Sequence, residues 1–331
     1  MAFSSTSVEI LDLRHFTAAM LRTVLEVECE LWRQRLHWDY RHSSKLLMQY
    51  LDSRLLPGYA ALLGDEAIGY GFCVYEDAKA VIGDVFAMEG LAEEGNGDRA
   101  LPLEQRLLGN LLELVVNSPQ IERVESQMLL HPAGSLEKIF LEHGFEVYRR
   151  LFMTLPLVGR WAAPRIELPE GLELRPWRDE ELTQAARLII EAYRDHPDSL
   201  INDQYRTLHG SLRFLNNVVR YLGCGAFAPL ASYVVVNRAT QELAAVVLGS
   251  RVSPGSGHVT QLCVHPECRR QGLARLLLTL SIHSFLRVGV TEVSLTVTEA
   301  NRRAIGLYES VGFRLIHSFE AAVWQRSEQH R

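Results

Sequence analysis

The residues from Val264 to Arg275, V-H-P-E-C-R-R-Q-G-L-A-R, constrain this chain more than any other stretch. An apolar run with strand character, Val259 to Val264, meets His265-Pro266. Proline has no N–H to give a sheet and restricts the residue before it, so the strand is expected to stop there. Arg269, Arg270, Gln271 and Gly272 follow, and then Leu273, Leu276, Leu277, Leu280 and Phe285 mark a helix. The pattern is strand, short basic glycine loop, helix. Free N–H groups at a helix start, approached through a glycine, make an anion site, and two arginines beside it suit phosphate.

A second signature lies downstream. Val293 to Val297 reads as a strand, Asn301-Arg302-Arg303-Ala304 opens a short helix carrying Leu307 and Tyr308, and Gly312-Phe313 ends it. Together the two resemble the GNAT superfamily of acyl-CoA-dependent N-acyltransferases. Its pyrophosphate loop, Arg/Gln-x-x-Gly-x-Gly/Ala, is matched by Arg269-Arg270-Gln271-Gly272-Leu273-Ala274. Its later element, Asn-x-x-Ala-x-x-x-Tyr-x-x-x-Gly-Phe, is matched by Asn301, Ala304, Tyr308, Gly312 and Phe313. The resemblance implies an α/β (α+β) domain whose mixed, mostly antiparallel sheet is flanked by helices, with acetyl-CoA as co-substrate. It implies an acyltransferase acting on a primary amine of a small molecule by direct attack in a ternary complex. A protein or peptide acceptor, a mycothiol-like thiol precursor and a non-catalytic CoA-binding sensor are the alternatives.

At 331 residues the chain is long enough for two cores. A net charge of −6 argues against a general nucleic-acid binder. No apolar run approaches the ~20 residues of a membrane span, and the N-terminus lacks the basic and apolar regions of a leader. The five cysteines have no regular spacing, which fits reduced thiols and a cytoplasmic location. Cys263, His265 and Cys268 lack a fourth partner at metal spacing, so no metal is expected. Monomer and homodimer both stay open.

The first half runs through the same order of elements as the second. Val8 to Leu13 reads as a strand, and Phe16 to Arg35 and Ser43 to Leu55 read as helices. A hairpin around Gly64-Asp65, a strand from Lys79, a helix from Leu103 to Val116 and a short helix ended by Gly144-Phe145 follow. Leu141 to Phe145 lines up with Glu309 to Phe313, which indicates a duplication. The expected domains are 1–160 and 161–331, joined through the proline- and glycine-bearing Val158 to Gly171. This tandem arrangement is similar to that of the mycothiol synthases. In the first copy the phosphate-loop position reads G-L-A-E-E-G-N-G-D-R-A-L-P-L from Gly90 to Leu103, where Glu93, Glu94 and Asp98 would repel phosphate beside Gly95 and Gly97. A degenerate first copy and a catalytic second one are therefore expected. In the second half, Glu180 to Tyr193 and Tyr205 to Leu222 read as helices around a polar loop, Arg194 to Gln204. In the family such a loop lies over the acceptor site.

Acyl transfer needs the donor's pyrophosphate held, its carbonyl polarised, the amine neutral and the leaving thiolate protonated. Backbone N–H groups from Arg270 through Gln271, Gly272, Leu273 and Ala274 to Arg275 suit the first task, with Arg269 beside them. By resemblance, a bulged strand at Leu262, Cys263 and Val264 also contacts acetyl-CoA and polarises the carbonyl. Tyr308 is the candidate acid, since a phenol of pKa ~10 can protonate a departing thiolate. Asn301 is a cofactor ligand by resemblance, a helix N-cap, or both. Ribosomal-protein N-acetyltransferases of the superfamily carry a glutamate where this chain has Thr296, which argues against an N-terminal peptide. Mycothiol synthases carry a glutamate base at the position of His258, making His258 the candidate base. Glu191 and His196 are the other candidates.

Overall fold

The computed structural model describes residues 7–88, 101–157, 165, 167–221 and 225–326. The candidate phosphate loop of the first copy, with Gly95 and Gly97, and most of the joining segment lie outside them. Two compact units form, the first comprising Met1–Leu36, Tyr40–Arg149 and Phe319–Arg331, the second His37–Asp39 and Arg150–Ser318.

The first unit contains β1 (Val8–Asp12), α1 (Ala18–Leu36), α2 (Arg41–Ser53), β2 (Gly58–Leu63), β3 (Glu66–Glu76), β4 (Lys79–Ala87), α3 (Leu103–Val116), β5 (Arg123–Gln127) and α4 (Glu137–Glu142). β6 (Glu146–Pro156) begins in it and passes to the second unit at Arg150. The second unit continues with β7 (Leu172–Pro176), α5 (Leu182–Tyr193), α6 (Pro197–Ile201), α7 (Leu208–Arg220), β8 (Ala226–Phe227), β9 (Tyr233–Asn237), β10 (Leu243–Ser253) and β11 (Ser256–Val264). Then come α8 (Leu273–Arg287), β12 (Glu292–Thr298), α9 (Arg302–Val311) and β13 (Arg314–Gln325), which crosses to the first unit at Phe319.

Within the first unit the strands run β1-β2-β3-β4-β5 and end on β13, antiparallel except for β4 beside β5. Within the second they run β6-β12-β11-β10-β9-β7, with β8 on β10, antiparallel except for β11 beside β12. Each sheet is therefore closed by a strand from the other half of the sequence: β13 pairs with β5, and β6 pairs with β12. No single cut, at residue 160 or elsewhere, separates the units.

Apolar positions on the two faces of the second sheet bury different helices. Val247, Val259, Val293 and Leu295 pack with Leu273, Leu277 and Phe285 of α8, and with Ile305 and Tyr308 of α9. Val234, Val246, Leu248 and Cys263 pack on the other face with Ile189 of α5 and Leu215 of α7. The segment from Arg194 to Gln204, read from sequence as a loop, holds the short α6. Pro197 opens it with its φ already helical, and the His196 ring accepts a hydrogen bond from Asp198 N–H as N-cap.

Candidate active site

Two strands that part company make the site. β11 pairs with β12 from Ser256 to Val259 only, against Glu292 to Leu295. β12 then stays with β6 up to Thr298, whereas β11 stays with β10 up to Val264. A bulge at Thr260, left over between the Leu248–Gln261 and Gly249–Val259 pairs, turns β11 away. One edge of Leu262 to Val264 is thus freed from its neighbour. His265 N–H donates to Ala244 O at 2.8 Å on the β10 side. By strand alternation Cys263 faces β10 as well, and Leu262 and Val264 turn their peptide groups into the gap. Arg269 Nε donating to Val264 O at 3.4 Å fits that orientation.

The N-terminus of α8 closes the gap at its open end. Arg270 and Gly272 both adopt left-handed φ, +66° and +81°, and the chain turns sharply into the helix. Gly272 is the N-cap residue and offers no side chain to the first N–H groups, which have no partner within the helix. A Cβ there would meet nothing within 4 Å, so the glycine answers to its φ and not to crowding. An anion at this point meets bare N–H groups and the positive end of a long helix.

The gap opens into a cleft of ≈ 630 Å³. Of the residues anticipated from sequence, Leu262, Cys263, Val264, Arg269, Arg270, Gly272, Leu273, Ala274, Arg275, Asn301 and Tyr308 line it, whereas Gln271 and His258 do not. His258 belongs to the closed part of the sheet, opposite Ser294, whose Oγ lies 2.9 Å from its Nδ1. Its ring meets Trp38 edge-on at 5.1 Å and stacks on Phe152 at 6.4 Å. Burial, with Arg150 adding to it, pushes its pKa down to about 3. Neither position nor basicity brings His258 to the chemistry.

The arginines divide their labour. Arg269 turns inward and donates to Ala192 O at the end of α5, at 2.8 Å, which ties the glycine loop to α5. Arg275 donates to Ser310 Oγ at 2.6 Å. Arg303, at the basic start of α9, lines the cleft with Arg270. Asn301 caps α9 by accepting from Ala304 N–H at 3.2 Å and lines the cleft as well.

Tyr308 is 9% exposed and sits on the core at 6.0 Å from the Phe313 ring. Burial, with the Asp198 carboxylate adding to it, raises its pKa well above the ordinary phenol range, while Arg150 opposes them. The hydroxyl is therefore protonated at neutral pH. The side of the cleft formed by α5 and the turn after it adds residues that sequence treated as secondary or passed over. Tyr193 stacks on Tyr205 at 4.4 Å and accepts from Gln261 Nε2 at 3.2 Å. His196 lines the cleft with it. Glu191 is half-exposed, paired with Arg194 at 2.8 Å, and outside the lining. The cleft thiols are poor nucleophiles, because burial pushes Cys263 up to about 12 and raises Cys268. Among the described residues no group of side chains could hold a metal ion, and no helix is long and apolar enough to cross a membrane.

Comparison with known proteins supports an acyl-group transferase. Residues 177–313 match the Acetyltransferase (GNAT) family. Family members use acetyl-CoA as co-substrate. Among curated relatives, a mycothiol acetyltransferase of Geodermatophilus obscurus is 27% identical over 82% of this chain and 79% of its own length. That of Thermobispora bispora is 28% identical over 76% and 77%. A GCN5-related N-acetyltransferase from Sphaerobacter thermophilus shares the fold with a TM-score of 0.63 at 17% identity, over 96% of this chain and 95% of that one. A tandem GNAT protein from the clavulanic acid biosynthesis pathway gives 0.61 at 14%, over 97% and 100%. The tandem architecture thus extends over the whole chain.

Proposed function

We propose that the second unit transfers the acetyl group of acetyl-CoA to a primary amine on a small molecule, by direct attack within a ternary complex. The observation that carries this reading is the parting of β11 from β12 at the N-terminus of α8, with Tyr308 in the same cleft. The helix N-terminus suits the pyrophosphate, with Arg270 and Arg303 adding charge. The outward N–H groups of Leu262 and Val264 suit the thioester carbonyl, and such donors are commonly worth ~3 kcal/mol each as charge develops on oxygen. Tyr308 protonates the thiolate as the C–S bond breaks. Direct attack is favoured over an acetyl-enzyme, because burial holds both cleft cysteines in the thiol form. The relatives named mycothiol acetyltransferase support an acceptor that resembles a mycothiol precursor.

The first copy is read as structural, on grounds internal to its own sheet. Counting from the bulge at Gly83, Val85 and Ala87 stand where Leu262 and Val264 stand after Thr260. His131 Nε2 occupies Val85 O at 2.7 Å, and Glu104 accepts from Ala87 N–H at 3.4 Å. His131 and Glu104 also pair with each other at 3.4 Å. Glu104 lies in the first turn of α3. A protein carboxylate thus stands at the helix start where the second unit would hold phosphate.

The test is an amine panel, cysteamine, glucosamine, cysteine methyl ester and a short unblocked peptide, each incubated with acetyl-CoA and followed by mass. The expected result is an acetylated small amine, with initial-velocity lines that intersect. Parallel lines, or acetyl retained on the protein, would overturn direct attack. Acetylation of the peptide alone would overturn the acceptor class, and no product from any amine would overturn the amine reading.

A further inference from the structure

With His258 walled off in the closed part of the sheet, the acceptor's proton needs another destination. We propose that His196, held by Asp198 and Thr298, takes that proton. This assignment rests on the acetyl transfer proposed above. His196 ends the turn after α5 and lines the cleft together with Tyr193 and Tyr308. Its ring meets Tyr193 edge-on at 5.3 Å. Behind it, away from the lining, stands Asp198, whose carboxylate accepts a hydrogen bond from the Thr298 hydroxyl. Thr298 is the last residue of β12, on the strand that forms the far wall of the gap. The order from the cleft inward is imidazole, carboxylate, anchoring hydroxyl, the arrangement by which a base is oriented through a third group.

Asp198 offers the ring two partners. Its own N–H reaches His196 Nδ1 at 3.1 Å, and its Oδ2 lies 3.8 Å from the same nitrogen. With the first partner the neutral ring carries its proton on Nε2. With the second it carries it on Nδ1 and leaves the Nε2 lone pair free to accept. The exchange is between two atoms of one residue, so it needs little movement. The charged groups facing His196 are Asp198 on α6 and Arg269 before α8. Burial and Arg269 lower the pKa of His196 and Asp198 raises it, so the ring is neutral at pH 7 and able to accept. Burial, with the same carboxylate adding to it, keeps Tyr308 protonated.

The protons balance. An acceptor ammonium loses one to His196, which passes it to solvent. The neutral amine attacks the carbonyl carbon, the C–S bond breaks, and Tyr308 gives its proton to sulfur. The nitrogen, now part of the amide, loses its second proton, which restores the phenol.

The test uses the full chain, acetyl-CoA and the panel amine that gives most product, across a pH series. His196→Gln is expected to lower kcat/KM by about 10²-fold or more and to abolish the acidic limb of the profile. Asp198→Asn keeps an oxygen for Thr298 and is expected to move that limb to lower pH, because it removes the group that raises the His196 pKa. Acetyl-CoA affinity, read by calorimetry, stays unchanged in both. A His196→Gln enzyme with the normal limb and rate would overturn the proposal, as would a loss of acetyl-CoA affinity in either variant. If the unaltered enzyme acetylates no amine, the failure belongs to the acetyl-transfer reading beneath it.

Discussion

At the residue scale, some positions of the candidate site serve the backbone and others serve a side chain that reaches across the fold. Gly272 and Asn301 announce helix starts, and Gly312 a helix end, because turn chemistry admits few residue types there. His258 and His196 carry no such local mark. Which one reaches the cleft depends on where β11 leaves β12, a property of sheet pairing rather than of neighbouring residues. Tyr308 is the most direct residue-level test. Tyr308→Phe is expected to lower kcat by about 10²- to 10⁴-fold while acetyl-CoA affinity stays within roughly twofold; equal turnover in steady-state assays would remove it from the acid role. A second prediction concerns the first unit, where Asp84 hydrogen-bonds Glu28 and Tyr70 donates to Glu28 at 2.5 Å, all of them buried. Burial, with Glu28 adding to it, raises the Asp84 pKa well above the usual carboxylate range, and burial raises that of Glu28. The folded state then keeps a proton that the unfolded chain gives up, so stability falls as pH rises from the unfolded value of ~4 toward the folded one, by about 1.4 kcal/mol per pH unit. Urea midpoints at about pH 5 and about pH 7 are expected to differ less in Asp84→Asn than in the unaltered chain; equal differences would contradict the shared proton.

At the element scale the duplication is finer than sequence could show. β4 pairs with β5 from Lys79 to Ile82, as β11 pairs with β12 from Ser256 to Val259, and both strands then carry a bulge and part from their neighbour. The residue after each bulge bonds to the first long helix of its unit, Asp84 to Glu28 and Gln261 to Tyr193. Periodicity and turn residues sufficed for most strands and helices, but a bulge has no sequence mark when Thr260 fills it. The closing strands were illegible for a different reason. β6 and β13 read as ordinary strands, and nothing local says which sheet will take them. Packing under α8 gives a test at this scale. Phe285 lies over Gly249 and Gly257 on adjacent strands, where an added Cβ would come within 2.7 Å and 2.8 Å of its ring. Gly257→Val is expected to cost about 1–3 kcal/mol through overpacking, and Phe285→Ala about 3–5 kcal/mol through the cavity it leaves. Denaturant titration of both variants checks this, and wild-type stability in either would show that the aromatic does not hold α8 to the sheet.

At the scale of the whole molecule, two copies of one architecture share a chain but present different chemistry to acetyl-CoA. In one, an ion pair of His131 and Glu104 takes the backbone groups that the parted strands leave over. In the other the same groups face an open cleft with a bare helix N-terminus. Strand exchange makes each sheet depend on both halves of the sequence, so a fragment ending at residue 160 lacks β13 and one starting at 161 lacks β6. Neither fragment is expected to give the heat of acetyl-CoA binding that the full chain gives. The central claim is that acetyl-CoA binds once per chain, with its phosphates at Gly272. Calorimetric titration of the full chain and of Gly272→Glu with acetyl-CoA tests it most directly. One site is expected in the unaltered protein and none in the variant, whose carboxylate would stand where phosphate belongs. Two sites, no site, or binding that survives in the variant would contradict it.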